Sequence, residues 1–215
     1  MNKLKIISVT IMLVAAIVVL SKGVLLNDRI DLDSLSAVKL YSDCGLKDKL
    51  NFKAFETAIG RIEHNKAVKK NALMVIIDFS LPSTKERFYV IDLKNKKLNY
   101  HTLVAHGRNT GENMAKNFSN VNGSKKSSLG LFVTAETYTG KHGYSLKLDG
   151  LDKGINDNAR ERLIVIHGAD YVTPEFAKQQ GRLGRSWGCP ALPPVHTKKI
   201  INAIKGRYPL FAYYE

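Results

Sequence analysis

Apolar residues change their spacing twice along this chain, and each change predicts a different kind of element. Behind Lys3 and Lys5, residues 6–20 form an uncharged, mostly apolar run, the pattern of an export signal or an uncleaved N-terminal anchor. The run falls short of the roughly 20 residues that a spanning helix prefers, although 24–26 extend it past Lys22. No small-x-small cleavage site follows it. Residues 27–70 are polar with helical spacing: Phe52, Phe55, Ile59 and Ile62 share one helix face behind Asn51 as N-cap. From Asn71 the period shortens to that of strands. Segments 74–79, 88–93, 98–105, 129–135, 144–148 and 163–167 are the expected strands, with 208–214 closing the sheet. A short polar turn, 94–97, makes a hairpin of the second and third. Residues 107–130 form a Gly/Asn/Ser-rich connection, and one so long is usually functional or disordered. Two short helices complete the pattern. Thr173, Pro174 and Gly181 bound the first; the second starts at Pro193-Pro194, turns Ile200, Ile201 and Ile204 inward and stops at Gly206. The expected architecture is mainly β (α+β): a domain over 71–215 with short edge helices, a helical segment over 27–70, and a signal peptide or membrane anchor over 1–26.

Composition narrows the partners. At 215 residues the chain can bury one sizeable core. Its formal net charge of +14 suits an anionic partner such as an acidic wall polymer, or simply a solvated basic surface. The lysines are scattered and no nucleic-acid-binding motif occurs, so nucleic acid is not the expected partner. Cys44 and Cys189, the two cysteines, have no metal-ligand spacing. In an exported protein they can also pair as a disulfide.

Chemistry concentrates in residues 162–194. An apolar run ends on His167-Gly168, and Ser186-Trp187-Gly188-Cys189-Pro190 places a cysteine where no regular element continues. A thiol attacks as thiolate, and a neighbouring imidazole or a ring of backbone N–H groups favours that form. His167 is then the base for Cys189, while the N–H groups of Cys189, Gly188 and Trp187 are the candidate oxyanion donors. No carboxylate near in sequence serves the other imidazole nitrogen, which leaves a backbone carbonyl to orient His167. Gly184 to Gly188 also fits the G-x-S-x-G pattern, but Pro190, Pro193 and Pro194 prevent the helix that a serine elbow needs. The six histidines form no HExxH or H-x-H pair, so no metal ligands are expected.

A strand ending His-Gly followed by Ser-x-Gly-Cys resembles the catalytic motif of the L,D-transpeptidases, the YkuD-like peptidoglycan enzymes. Val104-Ala105-His106-Gly107, 127–130, 166–170 and 184–193 most resemble the family's second branch, the murein L,D-transpeptidase catalytic domain proteins. Ser127 to Phe132 sits where that family has a T-P-x-G-x-F-like strand entry. The likeness covers roughly 70–212 and implies a YkuD-like β-sandwich or open barrel. It departs at Pro190-Ala191, where the family motif continues Cys-[Ile/Val]-Arg, and at Trp187, which replaces a histidine. Cys189 would attack a stem peptide of peptidoglycan, and an amine or water would resolve the thioester, giving a cross-link or carboxypeptidase action. No cofactor is implied. Ser186, Arg185, Arg182, His106 and Tyr144 are the candidate substrate contacts, and the setting is the periplasm or cell envelope. Two other readings stay open: a sortase-like cysteine transpeptidase, and a non-catalytic wall-binding module with Cys44 paired to Cys189.

Overall fold

The computed structural model describes residues 34–69 and 73–215; the expected export or anchor segment, 1–26, lies outside the described residues. In chain order the elements are α1 (Ser34–Asp43), α2 (Phe52–Glu63), β1 (Leu73–Asp78), β2 (Phe88–Asp92), β3 (Lys97–Thr102), β4 (Gly130–Gly140), β5 (Gly143–Gly150), β6 (Val165–Gly168), α3 (Pro174–Gln180), β7 (Ala191–Leu192), α4 (Pro194–Ile204) and β8 (Pro209–Tyr213). The strands follow the order β3-β2-β1-β8-β4-β5-β6-β7. Pairs β1–β8 and β6–β7 are parallel; the others are antiparallel. Beyond β3, Ala105 bridges Ala191 of β7, with N–H···O distances of 2.9 and 3.4 Å. That bridge draws the two ends of the sheet together, so the described residues form a nearly closed eight-stranded barrel with four short helices. Closure protects backbone groups that an open edge would expose.

Both faces of the central strands are buried. Met74 and Ile76 of β1 share a core with Phe55, Ala58, Ile59 and Ile62 of α2. Val75 and Ile77 share another with Ile200, Ile201 and Ile204 of α4. This explains why β1 reads as an unbroken apolar run rather than an alternation. Asn51 caps α2, its side chain accepting from the Lys53 N–H at 2.8 Å, and the buried face keeps the spacing of the sequence. Full burial of a side chain such as Phe55 is worth about 2–3 kcal/mol, which fastens α2 to the barrel.

Three expectations need correction. Strand β8 does not close the sheet but lies in its middle, between β1 and β4. Leu210 and Ala212 face one core and Phe211 and Tyr213 the other, as a central strand requires. Strand β4 runs to Gly140, past the expected end at 135, because its distal half is largely exposed and carries no apolar signal. Strand β6 begins at Val165, two residues late. Leu163 adopts the left-handed region at φ +57° and leaves 73% of its surface exposed.

Candidate active site

Strand β6 delivers His167 by ordinary strand geometry. The ring is buried, and Nδ1 lies 2.9 Å from the Gly168 carbonyl oxygen. A carbonyl only accepts, so the ring proton sits on Nδ1 and Nε2 keeps its lone pair. Burial depresses the proton affinity of His167; the Gly168 carbonyl raises it and His142 lowers it further.

Cys189 arrives on the loop before β7. In the parallel β6–β7 register, His167 lies opposite Ala191, so the cysteine two residues earlier comes alongside Val165. Its Sγ accepts from the Val165 N–H at 3.5 Å and donates to the Leu163 carbonyl at 3.5 Å. Burial pushes the thiol above its ordinary value, against the Val165 N–H, the Arg162 charge and its own N–H, which pull it down. Burial thus favours the neutral thiol of Cys189 and the neutral imidazole of His167 alike, and the hydrogen bonds of the two side chains run to backbone groups, of Val165 and Leu163 for the thiol and of Gly168 for the ring. The left-handed Leu163 next to the thiol is the kind of local strain that persists where the surroundings over-determine it.

Three loops cross beneath the cysteine. Ser186 Oγ accepts from the Gly188 N–H at 3.0 Å and donates to the Cys189 carbonyl at 2.6 Å. Ser127 Oγ accepts from Gly107 N–H and donates to the Gly188 carbonyl, each at 3.0 Å. A Cβ on Gly107 would sit 2.5 Å from the Lys125 carbonyl oxygen and 2.9 Å from Gly188 Cα, so only glycine fits. Gly188 has φ +129° and would meet the Lys126 carbonyl at 2.8 Å. Arg162 ties the long connection to this crossing. Its guanidinium donates to the carbonyls of Ser119 and Lys126, both at 2.6 Å, and to the hydroxyls of Ser124 and Ser128. The Gly/Asn/Ser-rich stretch is thus a folded wall of the site.

A cleft of about 540 Å³ opens beside His167, lined among others by Lys141, His142, Tyr144, Asp170, Tyr171 and Lys198. Tyr144 faces it and donates to Asn202 Oδ1 of α4 at 2.8 Å. The other expected substrate contacts are occupied elsewhere. His106 is buried, accepting from Arg87 at Nδ1 (2.7 Å) and donating from Nε2 to the Gly111 carbonyl (3.2 Å). It therefore holds a loop instead of lining this cleft. Arg182 and Arg185 both pair with Glu112, and Ser186 is spent on the cysteine loop. The Gly188 N–H is engaged by Ser186, while Trp187 is 72% exposed with Lys125 Nζ 4.9 Å from its ring centroid. Sequence reasoning missed Arg162, His142 and Tyr171: each looks like an ordinary surface residue until the loops converge. Cys44 and Cys189 are both free and pack in different cores, against the disulfide reading.

The family model for the L,D-transpeptidase catalytic domain (YkuD_2) matches residues 46–213, and the chain belongs to that family. No curated protein is significantly similar. Solved structures of similar fold include an L,D-transpeptidase from Mycobacterium smegmatis (12% identity, 66% of this chain and 58% of that one, TM-score 0.40). Another is an L,D-transpeptidase from Mycobacterium tuberculosis (13%, 66% and 58%, 0.42). A third is the helical cell shape determining protein Pgp2 from Campylobacter jejuni (12%, 74% and 55%, 0.45). The chain spans only about 55–58% of the length of these three.

Proposed function

We propose that the protein is a cysteine-dependent acyltransferase of peptidoglycan, cutting one stem peptide and joining it to a second as an L,D-transpeptidase. One observation carries this reading: His167 holds its proton on Nδ1 against the Gly168 carbonyl, leaving Nε2 as a base on the strand that the Cys189 loop runs beside. Because the resting pair is neutral, Nε2 takes the thiol proton as Sγ attacks the amide carbon. The attack opens the carbonyl to an oxyanion, met first by the Cys189 N–H; one such donor is worth about 3 kcal/mol. Collapse breaks the C–N bond, the leaving amine takes the proton from His167, and a thioester remains on Cys189. An incoming amine then attacks the thioester and gives a proton to Nε2; as the C–S bond breaks and the new amide forms, Sγ takes that proton back from Nε2, restoring the thiol and the neutral base. Water in place of the amine gives a carboxypeptidase.

The donor bond on this reading is the one between diaminopimelate and the terminal D-alanine, and the setting is the cell envelope, to which segment 1–26 directs the chain. The family membership and the net charge of +14, which complements a carboxylate-rich wall, support it. The test incubates the full chain, wild type beside Cys189→Ala, with disaccharide-tetrapeptides and reads the products by mass spectrometry. Turnover by the wild type alone is expected, and product masses separate cross-linking from hydrolysis. Turnover by both proteins removes Cys189 from the reaction.

A further inference from the structure

The β4–β5 hairpin places a second imidazole on the first. Gly140 pairs with Gly143, leaving Lys141 and His142 at the tip, and Gly143 takes φ +71° to complete the tight turn. Just past it, Tyr144 donates to Asn202 of α4 at 2.8 Å and Ser145 Oγ donates to the Gly143 carbonyl at 3.1 Å, so the tip is tied down against α4. The His142 ring then stacks on His167, centroids 4.6 Å apart and planes 28° from parallel. His167 has one hydrogen bond of its own, to the adjacent Gly168 carbonyl, which fixes the tautomer while leaving the face of the ring to be held from outside.

We propose that His142 is a positioning residue for His167, holding the plane of the base by stacking. The inference rests on the cysteine chemistry proposed above. A second imidazole over the first penalises two adjacent cations, and burial adds to the same bias, so both keep His167 neutral. The titratable groups that line the cleft with His167 are Lys141 and His142 from the hairpin, Asp170 and Tyr171 after β6, and Lys198 from α4. Of these groups, His142 is the one whose charge acts on the His167 ring. A base held in its neutral form can accept the thiol proton.

The experiment compares the full-length wild type with His142→Ala and His142→Phe. It measures kcat and KM on disaccharide-tetrapeptides across pH, and follows the His167 ring titration by NMR, assigned with His167→Gln. His142→Ala is expected to lower kcat about tenfold with KM nearly unchanged, since a loosened base misplaces the proton transfer. The acid limb and the His167 titration should both move to higher pH. His142→Phe keeps a stacked ring without the charge, so it should recover most of kcat but retain the shifted titration. Wild-type kcat and titration in His142→Ala would overturn the proposal, as would a loss confined to KM, which marks a substrate contact. If the wild type turns over none of these substrates, the proposed reaction fails, yet the NMR titration still decides whether His142 tunes His167.

Discussion

Replacing Arg162 with glutamine should loosen the site and quieten its thiol together. The guanidinium donates to two carbonyls, of Ser119 and Lys126, and to two hydroxyls, of Ser124 and Ser128. Glutamine reaches one of these at best. A hydrogen bond to a charged donor contributes roughly 1.5–3 kcal/mol. The serine hydroxyls can turn to water, so the loss falls mainly on the two carbonyls. Allowing for water at this half-buried position, the expected destabilisation is about 3 kcal/mol. The Arg162 charge also pulls the Cys189 thiol down, against burial. Without it the thiol rises further, and each unit of that rise costs about tenfold in thiolate at a fixed pH below the midpoint. Urea unfolding measures the first effect, and the rate of iodoacetamide alkylation from pH 6 to 10 measures the second. Cys44 is buried and pushed up to about 11, so Cys189 dominates the alkylation of the folded chain. An Arg162→Gln protein with stability within about 0.5 kcal/mol of wild type, a surface-substitution effect, and an unchanged alkylation profile would refute the reasoning.

Other consequences can be checked separately. His106 is held down to about 4 by burial and by the Arg87 charge, so the unfolded chain binds a proton that the folded one refuses. Stability from this group is complete above pH 7 and falls by about 3 kcal/mol as pH drops through 6.5 towards 4. Urea melts of wild type and His106→Gln at pH 7.5 and 4.5 should differ in that pH dependence; parallel losses would contradict it. Gly107→Ala drives a methyl into the Lys125 carbonyl and Gly188, both backbone, and should cost about 1–3 kcal/mol and more than tenfold in turnover. Near-wild-type activity in that variant would mean that the loop crossing yields more easily than its packing indicates. For wild type, kcat/KM should fall on the acid side with a midpoint below that of a free imidazole, because burial depresses His167. An acid limb at or above the ordinary histidine value contradicts a neutral resting pair.

The β domain and its two cysteines were legible because burial writes a strong signal. Strands β1 and β2 and the inner faces of α2 and α4 are apolar where they meet a core, and the caps at Asn51 and Thr173 bind the backbone as their residue types suggest. The backbone carbonyl that orients His167 was deduced from the lack of a nearby carboxylate. What stayed hidden lies on exposed or irregular backbone. The distal half of β4 has no apolar face, so the hairpin that carries His142 to His167 left no periodic trace. Arg162 is one arginine among many until three segments of the 119–128 loop converge on it. His106 looked like a cleft residue because it precedes a glycine at a strand end, but Arg87, also buried, claims its Nδ1. Arg182 and Arg185 stand beside the cysteine loop in sequence, yet both pair with Glu112.

The measurement that bears most directly on the central claim is the site of the covalent intermediate. The full chain is mixed with a tetrapeptide stem and no added acceptor, quenched with acid within the first turnovers, digested and mapped by mass spectrometry. The account predicts the shortened stem as an acyl group on the peptide carrying Cys189, absent in Cys189→Ala and scarce in His167→Gln. An acyl group on any other residue, or equal turnover by Cys189→Ala, would contradict it.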